Sequence, residues 1–310
     1  DRTHLRIPTC QSDLIKAVAK VNPNTIVVLH NGAPIEMPWV NQVQAILETY
    51  LSGEAVGEVT ADILFGNINP SGKIAETFPQ KLEDTPAYLT YPGEGDISDY
   101  TEGIYVGYRY YDSKRMPVLF PFGHGLSYTS FVYSDLVLSK KEISADDTLE
   151  VSFKVTNTGN RMGKEAAQIY IHSAHTGKLR PEQELKAFGK VALEPVETKT
   201  ITCSLEPRAF AAYETLISDW NVENGAYEVR VGSSSRDIRL SAIVRINNGK
   251  LLPVKITSDT ILKDILSLPG ADKILGLFME KARAELLANN QNDQLGAGTV
   301  AMFDNTLQSL

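Results

Sequence analysis

Thr25-Ile-Val-Val-Leu29 is an uninterrupted apolar run, bounded by Pro23-Asn24 before it and Asn31-Gly32 after it. A short β-prone run without polar alternation describes a strand covered on both faces, as in a parallel sheet. The flanks read as helices. Ser12 can cap a helix running to about Asn22, with Leu14, Ile15, Val18 and Val21 on one face, and Pro23 breaks it. On the other side, Trp39, Val43, Ile46, Leu47 and Tyr50 recur at helical spacing. A further helix from Glu54 to Phe65 stops at Gly66, and Lys73–Thr77 reads as another strand. Strands alternating with helices predict an α/β region with a mainly parallel sheet.

Further along, the character changes twice. Residues 80–130 are rich in proline, glycine and tyrosine. So many aromatic residues argue for an ordered connection, and ordered connections of this length usually carry function. From about residue 131 the period becomes two. Leu149, Val151, Phe153 and Val155 alternate with Glu150, Ser152 and Lys154, and the pattern returns at Ile201–Leu205 and Tyr227–Val231. Asn157-Thr-Gly159 and Asn224-Gly225 are turn signals. Roughly seven short strands make a β-sandwich of immunoglobulin or fibronectin type III kind. After Gly249 the pattern is helical again. Thr257-Ser258-Asp259 can cap one helix and Ile274–Leu287 forms a second; a new apolar pattern at Met302, Phe303 and Leu307 is cut short, which reads as truncation.

The bulk properties exclude several classes. A net charge of −8 over 310 residues, with no long Lys/Arg run, lacks the basic footprint that nucleic acid requires. No stretch is apolar for the roughly 18 residues that a membrane-spanning helix needs. Cys10 and Cys203 lie far apart, which favours a reducing compartment, the cytoplasm, and neither a disulfide framework nor a metal site. A nucleotide-binding reading fails because no glycine-rich turn follows Leu29, and Gly66–Gly72 lacks the phosphate-loop lysine pattern. No cofactor is implied.

A series of segments resembles glycoside hydrolase family 3. They are Asn22–Glu36 with Pro38-Trp39, Gly66–Lys73 with Thr77-Phe-Pro79, Tyr100–Asp112 and Phe120–Thr129, then Val155–Gly159, Glu184–Phe188 and Trp220–Ser233. The resemblance implies an α/β sandwich domain over 1–128, including the aromatic connection 80–128, a fibronectin type III-like domain over 129–247, and a helical tail over 248–310. It also implies a (β/α)8 barrel preceding them, absent here. Its activity would be retaining hydrolysis of terminal β-linked glucosyl residues, with a β-glucoside or oligosaccharide as substrate; β-xylosidase is a neighbouring activity.

Such chemistry needs a nucleophilic carboxylate and an acid/base carboxyl about 5–5.5 Å apart. In the family the nucleophile lies on the barrel. The acid/base Glu of the matching branch sits in a Glu-Gly-aromatic-Asp-Arg run, and Asp1-Arg2 matches its last two residues. The resemblance thus places no catalytic residue in this chain and predicts that the chain alone is inactive. Asp1 and Arg2 become candidates for the substrate rim. Glu102, between Tyr100 and Tyr105, is a further candidate, since carboxylates and aromatic faces suit sugars; its competing role is an ion pair with a residue such as Arg109. His30 and Glu36 follow a strand's carboxyl end but read more readily as structural. His124 reads as a loop hydrogen-bonding residue, and His172 and His175 as surface residues rather than metal ligands. Ser218-Asp219-Trp220 spells the nucleophile's tripeptide but lies in the sandwich, where it reads as a surface turn with a packed Trp. A different class, a stand-alone carbohydrate-binding or scaffold module, is separated from the hydrolase reading by one feature. A piece of a larger enzyme should expose an apolar face.

Overall fold

The computed structural model describes residues 3–173 and 179–249, together with 257, 259–261 and 265. Residues 1–250 form one compact unit and 251–310 a second. In the second, the amide of Thr257 donates to Thr260 Oγ1 at 2.8 Å and that of Ile265 to the Ile261 carbonyl at 3.3 Å. The expected helix at Ile274–Leu287 lies outside the described residues.

Helix α1 spans Thr9–Val21 and strand β1 spans Ile26–Leu29. The helix begins before Ser12: the Pro8 carbonyl accepts from the amides of Gln11 and Ser12, at 3.0 and 3.2 Å. The helix predicted from Trp39 to Tyr50 is not there. A 3-10 turn at Val40–Gln42 is followed by strand β2, Ala45–Glu48, which pairs parallel to β1 from Ile26↔Ala45 to Leu29↔Glu48. Short apolar runs fit either period, and the free hydrogen-bonding groups along β1 decide the matter. Gln44 N–H to Thr25 O and Thr49 N–H to Leu29 O extend the ladder at both ends. Trp39, fully buried, packs with Val27, Leu29, Ile35, Met37 and Phe78.

Helix α2, Val56–Leu64, ends as predicted at Gly66, whose φ of +77° is the left-handed region that glycine adopts without strain. Lys73–Thr77 is not a strand. Instead β3, Phe78–Pro79, runs antiparallel to β4, Val118–Phe120, so among the described residues the parallel sheet of this part consists of β1 and β2. Between β3 and β4 the aromatic connection contains a 3-10 turn, Leu82–Asp84, and one short α-helix, α3, Tyr108–Ser113.

The sandwich follows the predicted alternation. Its strands are β5 (Phe131–Leu138), β6 (Glu142–Ser144), β7 (Leu149–Asn157), β8 (Gly163–Ser173), β9 (Glu184–Leu193) and β10 (Thr198–Leu205), then β13 (Gly225–Ser234) and β14 (Asp237–Asn247). One sheet has three strands, β10-β7-β5, and the other five, β6-β14-β13-β8-β9. The strand beyond the expected count is β6, too short to show a period. Leu149, Val151, Phe153 and Val155 meet Ile169, Tyr227, Val229, Val231 and Val244 in one buried cluster. A hairpin, β11 (Ala212–Glu214) with β12 (Asp219–Asn221), stands apart from both sheets. There Trp220 is 43% exposed, with the Arg208 guanidinium over its ring and Tyr213 edge-on at 5.4 Å. Asp219 is thus on a surface hairpin, and its Trp packs against surface neighbours rather than the core.

Side chains stitch the two parts together. Gln168 Nε2 donates to the carbonyls of Gly123 (3.1 Å) and Ser233 (2.8 Å), while its Oε1 accepts from Tyr170 at 2.5 Å. Gly123 has φ +79°, and a Cβ there would sit 2.1 Å from that same oxygen. Nearby, Lys73 reaches the Gly125 carbonyl at 2.9 Å and Glu165 at 3.4 Å, and Tyr133 donates to Glu165 at 2.8 Å. Burial pulls the Lys73 amine below its ordinary range, against the pull of Glu165.

Candidate functional site at the carboxyl ends of the parallel strands

In an open parallel sheet, groups that bind ligands gather where the strands end. Beyond β1 and β2 a polar cluster stands at that place. The Leu29 carbonyl accepts from Thr49 Oγ1 at 2.7 Å, and that hydroxyl also meets His30 Nδ1 at 2.7 Å. Glu48 is gripped from two sides: Asn31 Nδ2 donates to its Oε2 at 3.0 Å and the Tyr50 amide to its Oε1 at 2.8 Å. Burial raises the Glu48 carboxyl above its ordinary range in spite of these bonds. It raises the Tyr50 phenol too, with Glu76 and Glu48 adding to the effect. Tyr50 itself is held at φ +50°. Asn31 Oδ1 and the Tyr50 hydroxyl are shielded from solvent and have no hydrogen-bond partner, an arrangement that costs free energy unless something supplies one.

The Glu36 amide donates to the Leu5 carbonyl at 2.9 Å, so the segment leading out of residues 1–2 runs along the loop that follows β1. Asp1 and Arg2 lie outside the described residues. His30 stands with Thr49 in this cluster. Glu48 and Tyr50 are not legible as site residues in the sequence, because the spacing around them predicts a helix; strand β2 puts them at its carboxyl end.

Glu102 lies elsewhere, in a cavity of about 500 Å³ lined by Pro86, Thr101, Glu102, Tyr105, Tyr110, Ser113 and Lys114. The expected ion pair with Arg109 is not made: Arg109 pairs with Glu184 at 3.1 Å, and Glu102 Oε2 is shielded without a partner. A second cavity, about 380 Å³, holds Asp112, Arg115, Glu182, Arg230 and Arg236. Its charges are largely matched, Arg236–Asp112 at 2.7 Å and Arg230–Glu182 at 3.0 Å. His124 bonds through its backbone and stacks on Phe120 at 5.3 Å. His172 is half-buried and meets the Glu182 carbonyl at 2.5 Å, so it is not the surface residue expected; His175 lies outside the described residues. Among the described residues no group of three His, Cys, Asp or Glu is placed to hold a metal ion.

These features define a class: an open α/β unit with polar groups beyond its strand ends, fused to a fibronectin type III-like sandwich. Comparison with known proteins gives the family. Residues 1–128 match the glycosyl hydrolase family 3 C-terminal domain and residues 165–235 a fibronectin type III-like domain. Thermostable beta-glucosidase B of Acetivibrio thermocellus is 48% identical over 299 residues, which are 96% of this chain and 40% of that protein. The exo-alpha-(1->6)-L-arabinopyranosidase of Bifidobacterium breve is 41% identical over 256 residues, 82% of this chain and 33% of that one. A GH3 beta-glucosidase crystal structure from Bifidobacterium adolescentis superposes with a TM-score of 0.81 at 40% identity, covering 89% of this chain and 40% of that one. The chain belongs to glycosyl hydrolase family 3, and it spans well under half the length of these relatives.

Proposed function

We propose that this chain is the C-terminal part of a retaining β-glucosidase-type glycoside hydrolase, and that it shapes and closes the sugar cleft rather than supplying the reacting carboxyl groups. In this reading a barrel Asp attacks the anomeric carbon, and a Glu just before Asp1 protonates the departing oxygen. The same Glu then takes a proton from the water that releases the sugar. Asp1 and Arg2 form part of the cleft rim.

The observation that carries this reading is the apolar surface of the α/β part. Leu14 and Val21 on α1 are 64% and 82% exposed, and Phe65 just after α2 is 84% exposed, in a part whose parallel sheet has two strands among the described residues. Parallel sheets are stable when covered on both faces, so this surface fits burial against a barrel. It argues against a module evolved to stand alone in water. An arabinopyranosidase matches this stretch about as well as several β-glucosidases do. That supports placing the choice of sugar outside these residues.

The test is hydrolysis of 4-nitrophenyl β-D-glucopyranoside by the chain alone and mixed with a barrel-containing fragment ending in the Glu-Gly-aromatic run. Turnover is expected only in the mixture. Family-level turnover by the chain alone would overturn the assignment of both carboxyl groups to other residues.

A further inference from the structure

We propose that the cavity at Glu102 is a binding site for one neutral pyranose ring, with Glu102 as the acceptor for its hydroxyl groups. The glycosidase reading is used only to choose sugars as the class to try; the rest comes from the cavity.

Its walls are fixed. Gly103 and Gly107, at φ +56° and +58°, fold the segment tightly around Glu102, whose carbonyl accepts from the Tyr105 amide at 3.0 Å. Gly107 starts α3, which brings Tyr110 and Ser113 to the cavity. This wall is pinned to the sandwich at three points. Ser113 Oγ accepts from the Glu182 amide at 2.8 Å, the Tyr108 hydroxyl accepts from the Leu185 amide at 2.8 Å, and Tyr105 donates to the Arg180 carbonyl at 3.3 Å. A wall pinned in this way is organised before any ligand arrives, which lowers the entropic cost of binding.

The chemistry selects the ligand. Glu102 is only partly buried and lines the cavity, so its carboxylate can accept from a ligand hydroxyl there; Oε2 is closed off from solvent and is not the atom a ligand reaches. The carboxylate disfavours an anion. Lys114 disfavours a cation, because its ammonium stands at the same cavity, 2.9 Å from the Tyr110 hydroxyl and 5.1 Å from that ring's centre. One acid, one base, tyrosine rings and the hydroxyls of Thr101 and Ser113 together suit a neutral molecule that donates and accepts along its edge and has an apolar C–H face. The volume, about 500 Å³, is that of a small-molecule cleft.

The experiment is a calorimetric and ligand-observed NMR titration of the whole chain with methyl β-D-glucopyranoside, glucuronate and glucosamine. Millimolar binding of the neutral glucoside is expected, with a loss of about tenfold in Glu102→Gln and in Tyr110→Ala, as for a lost bond to a charged group. Thermal melting of each variant shows whether it stays folded. Three results would overturn the proposal: no glucoside binding by the unaltered chain, equal binding by the folded variants, or preference for glucosamine. A fourth would do the same. If Glu102→Gln and Lys114→Met lower the melting temperature alike and leave glucoside affinity untouched, Glu102 serves Lys114 internally. Failure here is distinct from failure of the glycosidase reading, since a chain that restores hydrolysis without binding the glucoside by itself sinks only this site.

Discussion

The sandwich and the α/β part of residues 1–250 carry comparable apolar patterning and reach opposite outcomes. Along β7 every second residue is buried, and Phe153 is 1% exposed. Along α1 the patterned residues Leu14, Val18 and Val21 remain exposed, Ile15 is partly buried against the Trp39 cluster, and Ala19 is the buried one. Two antiparallel sheets can bury each other's inner faces and leave the outer faces wet. A parallel pair such as β1-β2 cannot, because each strand needs cover on both sides and further strands beside it. One region completes its own core. The other leaves apolar side chains exposed, which the proposed function assigns to contact with a barrel, and is tied to the sandwich by the Gln168 and Lys73 contacts at the joint.

The harshest way to break this comparison is to open the closed core. Phe153→Ala should cost roughly 3–5 kcal/mol. Trp39, fully buried in the α/β part, reports on the other region when Trp220 is changed to Phe. In a urea titration both regions should lose stability together, because the joint couples them. A Trp39 transition that stays put while the sandwich melts early would show that the regions are independent.

A gentler probe acts at the joint itself. Burial and the neighbouring Lys73 hold the His124 imidazole below its ordinary pKa. The unfolded chain therefore binds more protons than the folded one below about pH 6.5. Stability should fall as pH drops from there through the depressed value, by no more than about 1.4 kcal/mol per pH unit. In His124→Phe, which keeps a ring against Phe120, this slope should flatten in melting curves taken between neutral and mildly acid pH. An unchanged slope would remove His124 from the account.

The smallest effect on stability is expected where the comparison is sharpest. Leu14→Ser and Val21→Ser should each change stability within about 0.5 kcal/mol, since neither residue is packed. The double variant should nonetheless bind less of a hydrophobic dye and assemble less well with the barrel fragment. A large loss of stability would show that the Leu14 and Val21 face of α1 already has a partner within the chain.

Much of this was legible in the residues. The run at Ile26–Leu29, the stop at Gly66, the alternation at Leu149–Val155 and the turn at Asn224-Gly225 each rest on a preference of neighbouring residues for one backbone conformation. Ala45–Glu48 was not legible, because an Ala-Ile-Leu sequence tolerates both helix and strand and only the vacant edge of β1 chose between them. The same limit hid the Glu48–Tyr50–Asn31 cluster and the pairing of Arg109 with Glu184 rather than Glu102.

The sequence by itself determined the order of the parts and their type, because apolar spacing and turn chemistry are local properties. Tertiary structure alone decided which polar groups were paired, which were left without partners and which apolar face stayed open. Those depend on groups far apart in the chain meeting within a few ångströms, and no local pattern records such a meeting.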